Sequence, residues 1–210
     1  EMLKQLKRVP GGFKAYYVIQ KKARGLGDAV LHAEKFAGND SFAVFLPDDI
    51  IFSKKPAMKQ MIEVFEKYKK HVVSVETVEK EMISSYGIIK PGKIADRIFE
   101  ILDMAEKPKP DKAYSNLGIV GRYILPPTIF GYIRKTQAGA KGEIQLTDAL
   151  KMAMGKEGLV AHMFEGDRCD AGDKYGYIMA FLKSAIMKKE YSEKLKKDIK
   201  KVIAKRGGKK

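Results

Sequence analysis

Two aspartates occupy positions from which an α/β sheet presents side chains to a ligand. Asp48 comes after the apolar run Ser41 to Leu46 and Pro47, and Asp170 comes after the apolar run Val160 to Phe164, in the small-residue loop Asp170-Ala171-Gly172-Asp173. Carboxylate oxygens suit a hard cation such as Mg²⁺, which commonly takes one or two carboxylates together with substrate phosphates. The two could share one metal, although an Asp after a strand also caps turns and helices. Gln20 ends an aromatic and β-branched run, carries both donor and acceptor atoms, and could read a nucleobase edge. Gly25-Leu26-Gly27 either lets backbone approach a ligand or simply turns the chain. Glu106 can accept from two sugar hydroxyls and its neighbour Lys107 can reach a phosphate, or the two can form a surface ion pair. Lys174, four residues after Asp170 at the start of a helix, would make an anion site or remain one more solvated lysine. Gly142 to Asp148 opens another helix, with Glu143 and Asp148 near its positive end. His32, His71 and His162 show no metal-ligand spacing, and Cys169 has no identifiable base beside it.

The elements that must position these residues follow from periodicity. Leu3 to Lys7 reads as the tail of a helix, closed by Pro10-Gly11-Gly12. Ala15 to Gln20, Ser41 to Leu46, Val72 to Thr77, Asn116 to Leu125 and Val160 to Phe164 read as strands, several apolar enough for burial on both faces. Asp28 is expected to cap a helix over Ala29 to Phe36, and Asp173 to cap one carrying Ile178, Phe181, Leu182, Ala185 and Ile186. A helix is expected from Pro56 to Lys69, others over Pro127 to Lys135 and Ile144 to Met154, and a hairpin turning at Pro91-Gly92-Lys93. A last helix carries Leu195, Ile199, Val202 and Ile203. The alternation predicts an α/β fold with a Rossmann-like mixed, mainly parallel sheet flanked by helices. Ligands in such sheets bind beyond the C-terminal strand ends, where Gln20 and Asp48 fall. The expected division is a domain over 1–190 and a basic helix and tail over 191–210.

The 210 residues carry a net charge of +15 and one cysteine. Residues 183–210 hold twelve Lys/Arg against three acids, net +9. That excess favours anionic partners, whether phosphorylated metabolites, nucleic acid or membrane surfaces. No nucleic-acid motif appears, and no 18-residue apolar stretch that would span a membrane, so neither is an expected partner. A lone cysteine without a secretory leader points to a reducing, cytoplasmic setting. The amphipathic C-terminal helices could face a second copy, leaving a homo-oligomer possible, or their own domain.

Several runs occur together and in order: Ala23-Arg24-Gly25-Leu26-Gly27-Asp28-Ala29 after Gln20, Leu46-Pro47-Asp48-Asp49, Ser85-Tyr86-Gly87, Glu106-Lys107-Pro108-Lys109, Ser115-Asn116-Leu117, Val120-Gly121-Arg122-Tyr123, Gly142-Glu143-Ile144-Gln145-Leu146-Thr147-Asp148 and Asp170-Ala171-Gly172-Asp173-Lys174-Tyr175-Gly176-Tyr177. Over roughly residues 13 to 190 the chain resembles the prokaryotic UTP–glucose-1-phosphate uridylyltransferases, which belong to the sugar nucleotidyltransferases. The resemblance implies transfer of UMP from UTP to glucose 1-phosphate, giving UDP-glucose and pyrophosphate with Mg²⁺. It implies that Gln20 and Gly25 contact uracil, that Asp48 and Asp170 hold the metal, and that Gly87, Glu106 and Asn116 face the glucosyl unit. Lys107 would lie beside the sugar, Lys174 would meet the phosphate, and Glu143 would lie near the sugar pocket. The family's opening glycine-rich loop, of the type G-x-G-T-R, is not in this sequence, so an N-terminal segment is expected upstream and the isolated chain is expected to be inactive or weak. Alternatives are a nucleotidyltransferase using dTTP or another sugar phosphate, or a non-catalytic homologue that binds a sugar nucleotide.

Overall fold

The computed structural model describes residues 14–139 and 142–207. Its main sheet has six strands, β1 (Phe42–Phe45), β3 (His71–Thr77), β4 (Gly87–Ala95), β5 (Ile98–Glu106), β6 (Leu117–Leu125) and β7 (Leu159–Met163), in the order β1-β6-β3-β7-β5-β4. Two four-residue strands, β2 (Asp49–Phe52) and β8 (Asp167–Asp170), pair with each other as a separate antiparallel ribbon. The helices are α1 (Leu26–Leu31), α2 (Glu34–Ala37), α3 (Ala57–Tyr68), α4 (Ile129–Lys135), α5 (Leu146–Glu157), α6 (Lys174–Met187) and α7 (Ser192–Gly207).

Alternate residues of the central strands serve two cores. Val73, Val75, Tyr123, Leu125, Leu159 and Ala161 join Ile129, Ile133 and Leu150 of α4 and α5 on one face. Val72, Ile124 and Val160 meet Met61 and Val64 of α3 on the other. Because both faces are covered, these strands read as unbroken apolar runs. The expected order of helices and central strands is therefore observed. The share of parallel pairing is smaller than expected: among the described residues β3 with β7 is the parallel pair, and the remaining pairings are antiparallel. The cause is the middle of the chain. β4 and β5 are joined by a tight turn, which reverses direction, and β6 runs back between β1 and β3; parallel neighbours need a long crossover instead.

Other differences are local. The hairpin turns at Asp96-Arg97, with Arg97 at φ 58°, while Pro91-Gly92-Lys93 sits inside β4 at a register shift. A bulge tolerates the missing proline N–H. Ala15 to Gln20 forms no ladder among the described residues, and Tyr17 is 92% exposed. β1 has β6 as its neighbour, and its burial alternates as at a sheet edge rather than staying complete. The helix expected over Ala29 to Phe36 is split into α1 and α2. Asp28 does not cap it; it lies buried in the first turn, because Gln20 Nε2 reaches its Oδ2 at 2.7 Å. α5 starts later and runs further than expected, whereas α3 and the Asp173 cap of α6 agree, with Asp173 Oδ1 accepting from the Gly176 N–H at 2.8 Å. The helix expected over Leu3 to Lys7 lies outside the described residues. No described helix is long and apolar enough to cross a membrane.

Candidate active site

A cleft of about 330 Å³ opens where β6 and β4 meet the β2–β8 ribbon, between the N-terminus of α5 and the loop before β2. Asp48, Gly87, Glu106 and Lys107 line it, four of the residues singled out in the sequence. Asp170 is not in the lining but pairs with Arg168, which is. In the ribbon Asp170 is opposite Asp49, and the Ala171 N–H donates to the Asp48 carbonyl at 2.7 Å. A Cβ on Gly172 would lie 2.9 Å from Asp170 Oδ1 and 3.4 Å from Asp48 Oδ2, so the two carboxylates flank one glycine. The close fit continues into α6: a Cβ on Gly176 would fall 1.8 Å from the Asp170 carbonyl, and glycine there lets the first helical turn rest on the strand end.

The neighbouring acids Asp48 and Asp49 are in opposite situations. Asp48 is exposed in the cleft. Asp49 is buried; its Oδ2 accepts from the Gly121 N–H and its Oδ1 pairs with Arg168 Nε. Arg168 is the centre of this region. Its Nη1 meets Glu76 and, at 3.2 Å, the Tyr86 hydroxyl, and its Nη2 pairs with Asp170 Oδ2 at 2.9 Å. Burial works against its charge, but Tyr86, Glu76 and Asp49 outweigh burial and hold its proton more firmly than an ordinary arginine's. Burial pushes the Glu76 carboxyl up, against the pull of Arg168. Arg122 fixes the loop from the other side by donating to the Leu46 and Asp49 carbonyls.

At the opposite end Glu106 Oε2 accepts from Thr147 Oγ1 at 2.7 Å, and Lys107 Nζ lies 3.9 Å from Glu106 Oε1. Lys107 has φ 47°, and its N–H is held by the Tyr86 carbonyl. A Cβ on Gly87 would come 3.2 Å from Glu106 Oε2, so glycine keeps that carboxylate open to the cleft. Gln20 and Gly25 are brought together as expected, with Gln20 Nε2 3.3 Å from the Gly25 carbonyl. Gly25 has φ 94°, and a Cβ there would strike the Ile144 carbonyl at 2.7 Å, so its need for glycine comes from close contact with the segment before α5. Gln20 and Gly25 stand outside the cleft lining, and so do three others: Asn116 is exposed just before β6, Glu143 accepts from Gln145 Nε2, and Lys174 is exposed at the start of α6 beside a shallow depression with Asp173. Gln145 and Thr147 line the cleft from the start of α5.

Sequence reasoning missed Arg168, Asp49, Glu76, Tyr86 and Thr147. The doubled acid Asp48-Asp49 was the available signal, since adjacent residues entering a strand face opposite ways.

Two carboxylates around a side-chain-free space offer the hard oxygen donors a divalent cation prefers and leave its other positions for phosphate oxygens. Among the described residues no cluster of three or more His, Cys, Asp or Glu forms an all-protein metal cage. The donor chemistry of the Asp48 and Asp170 carboxylates beside Gly172 fits a divalent cation.

A nucleotidyl transferase family model matches residues 1–187. A UTP–glucose-1-phosphate uridylyltransferase of Mycoplasma genitalium is 44% identical over 181 residues, covering 85% of this chain and 62% of that protein. A namesake from Bacillus subtilis is 40% identical over 195 residues, covering 93% and 66%. The chain therefore spans 62% and 66% of the length of these two curated relatives. Among solved structures, a UDP-glucose pyrophosphorylase complexed with UDP-glucose superposes with a TM-score of 0.76 at 42% identity, covering 79% of this chain and 64% of that one. A UTP-bound enzyme of the same kind from Acinetobacter baumannii superposes with a TM-score of 0.85 at 30% identity, covering 94% and 70%.

Proposed function

We propose, from the premise that the chain belongs to the nucleotidyl transferase family, that the complete protein transfers UMP from UTP to glucose 1-phosphate, giving UDP-glucose and pyrophosphate. The observation that carries this reading is the convergence of the Asp48 and Asp170 carboxylates on Gly172, at one end of a cleft whose other end presents Glu106 and Lys107. An oxygen of the sugar phosphate attacks the α-phosphorus of UTP, and the bond to the bridging oxygen of the leaving pyrophosphate breaks. The nucleophile is a phosphate monoester with a second pKa of about 6, already mostly dianionic at neutral pH. It needs no general base, which agrees with a cleft free of histidine. Positioning and charge neutralisation are what remain to be supplied.

Asp48 and Asp170 would hold Mg²⁺, which when bound neutralises phosphate charge and orients the reacting oxygens. Gln20 and Gly25 would meet the uracil. Glu106, held by Thr147, would accept from glucose hydroxyls beside Gly87, with Asn116 and Glu143 at the margin of that pocket. Lys107 and Lys174 would meet phosphate. Residues 1–190 would carry the transferase unit, and 191–210 an appended basic segment.

The test is a turnover panel with the full-length protein: UTP and dTTP, each with glucose 1-phosphate and other sugar phosphates, scored by pyrophosphate release and product mass. UDP-glucose is expected as the main product. A dominant product built on another base or sugar, or none at all, overturns the reading.

A further inference from the structure

We propose that Arg168 is the positioning residue of the metal site: it orients the Asp170 carboxylate so that one oxygen is used up and the other is presented toward Asp48. The inference rests on the metal reading of Asp48 and Asp170 above. Residues 168 and 170 lie on one side of β8, with buried Cys169 facing away between them. Arg168 is 7% exposed and is held from three sides. Asp49 on β2 binds Nε, Glu76 on β3 binds Nη1, and Tyr86 receives Nη1 at its hydroxyl while its ring centroid lies 5.5 Å from the guanidinium. A planar guanidinium with its donors in a fixed fork has little freedom left under those constraints. The remaining nitrogen, Nη2, takes Asp170 Oδ2 at 2.9 Å. That bond and the Gly172 N–H, 3.0 Å from Oδ1, fix the carboxylate plane and put Oδ1 at the Gly172 space that Asp48 Oδ2 also borders.

Charge alone predicts the opposite consequence. A buried cation next to a metal ligand repels a second cation, so removing it should tighten metal binding. If orientation is what Arg168 supplies, removing it weakens metal binding although a repelling charge has gone. Losses of 10- to 100-fold in metal affinity are typical when a residue that orients a ligand is changed. Lysine keeps the charge but cannot bridge Asp49, Glu76 and Asp170 in one plane, so it does not restore the site.

The experiment measures Mn²⁺ affinity of the full-length protein, with saturating UDP-glucose present to supply phosphate oxygens, from the electron paramagnetic resonance signal of free Mn²⁺, for the wild type and for Asp170→Asn, Arg168→Gln, Arg168→Lys and Glu76→Gln. Thermal unfolding of each variant reports its fold. Asp170→Asn is expected to abolish tight binding. Arg168→Gln and Arg168→Lys are each expected to weaken it at least 10-fold, and Glu76→Gln, which loosens one anchor of the arginine, by a smaller factor. Adding Arg168→Lys to Asp170→Asn should change nothing further. If Arg168→Gln does not fold, Arg168→Lys and Glu76→Gln decide. Binding as tight as wild type, or tighter, in those variants while Asp170→Asn loses it overturns the positioning role and leaves the metal reading intact. Equal Mn²⁺ binding by wild type and Asp170→Asn overturns the metal reading, and the inference with it.

Discussion

The two ends of the cleft are built by different means. At the ribbon end, the four-residue strands β2 and β8 carry Asp49 and Asp170, whose side chains are ordered by ion pairs around Arg168, and Asp48 directly precedes β2. At the other end, Glu106 and Thr147 sit on a long strand and a helix whose apolar sides, Met104, Leu146 and Leu150 among them, belong to the main core. Where charge organises a site, losing one partner leaves a buried charge or donor uncompensated, and the damage is large. Where a packed core organises it, removing one polar contact costs about that contact alone. Substitutions at the ribbon should therefore act on the whole site, and those at the far end on one ligand group.

The comparison is tested most severely at Asp49. Asp49→Ala strips the Arg168 Nε and Gly121 N–H of their buried acceptor, and a loss of about 3 kcal/mol in unfolding free energy is expected by denaturant titration. Asp48→Asn, one residue away and exposed, should leave the unfolding midpoint in place while the proposed uridylyl transfer by the full-length protein falls on the order of 100- to 1,000-fold, as when one preorganised electrostatic group is lost. Similar stability losses in both variants would erase the distinction between the neighbours. Gly176→Ala forces a methyl against the Asp170 backbone and should cost about 1–3 kcal/mol by calorimetry, with turnover falling alongside. In the proposed reaction, Thr147→Val should raise KM for glucose 1-phosphate by roughly fivefold, about 1 kcal/mol, with kcat and thermal stability little changed. An equal fall in kcat would show that the far end also acts on the reacting centre.

The smallest effect concerns pH, away from the ribbon. Burial lowers the His71 pKa below its ordinary value of 6.5, with Glu157 opposing; His162 is lowered by burial too. A histidine kept neutral by the fold contributes stability that is fully present above its unfolded pKa and lost as pH falls through the folded one. The unfolding temperature should decline between pH 7 and pH 5.5, and His71→Gln should flatten that decline.

What could be read from sequence was local. The Asp173 cap precedes its helix directly, the stripe of α3 repeats at helical spacing, and Asp48 and Asp170 each follow an apolar run. Long-range features were hidden. β2 and β8 are four residues each and, among the described residues, pair only with one another, and the bond between Arg168 and Asp49 joins positions 119 residues apart. Arg168 is one of 41 basic residues, and nothing in its neighbours distinguishes it. Antiparallel pairing of β6 depends on which strands it falls between, which periodicity does not encode. The aromatic run before Gln20 read as a strand because its composition favours one, yet composition supplies no partner.

The opposed settings of Asp48 and Asp49 limit how this stretch can vary in length. Side chains entering a strand alternate, so deleting or inserting a single residue between Pro47 and Ile50 would shift the frame of the ribbon by one. The carboxylate meant for the cleft would then turn inward onto Arg168, and the structural one outward. Homologous chains should therefore keep this segment's length fixed while the surrounding surface loops drift freely.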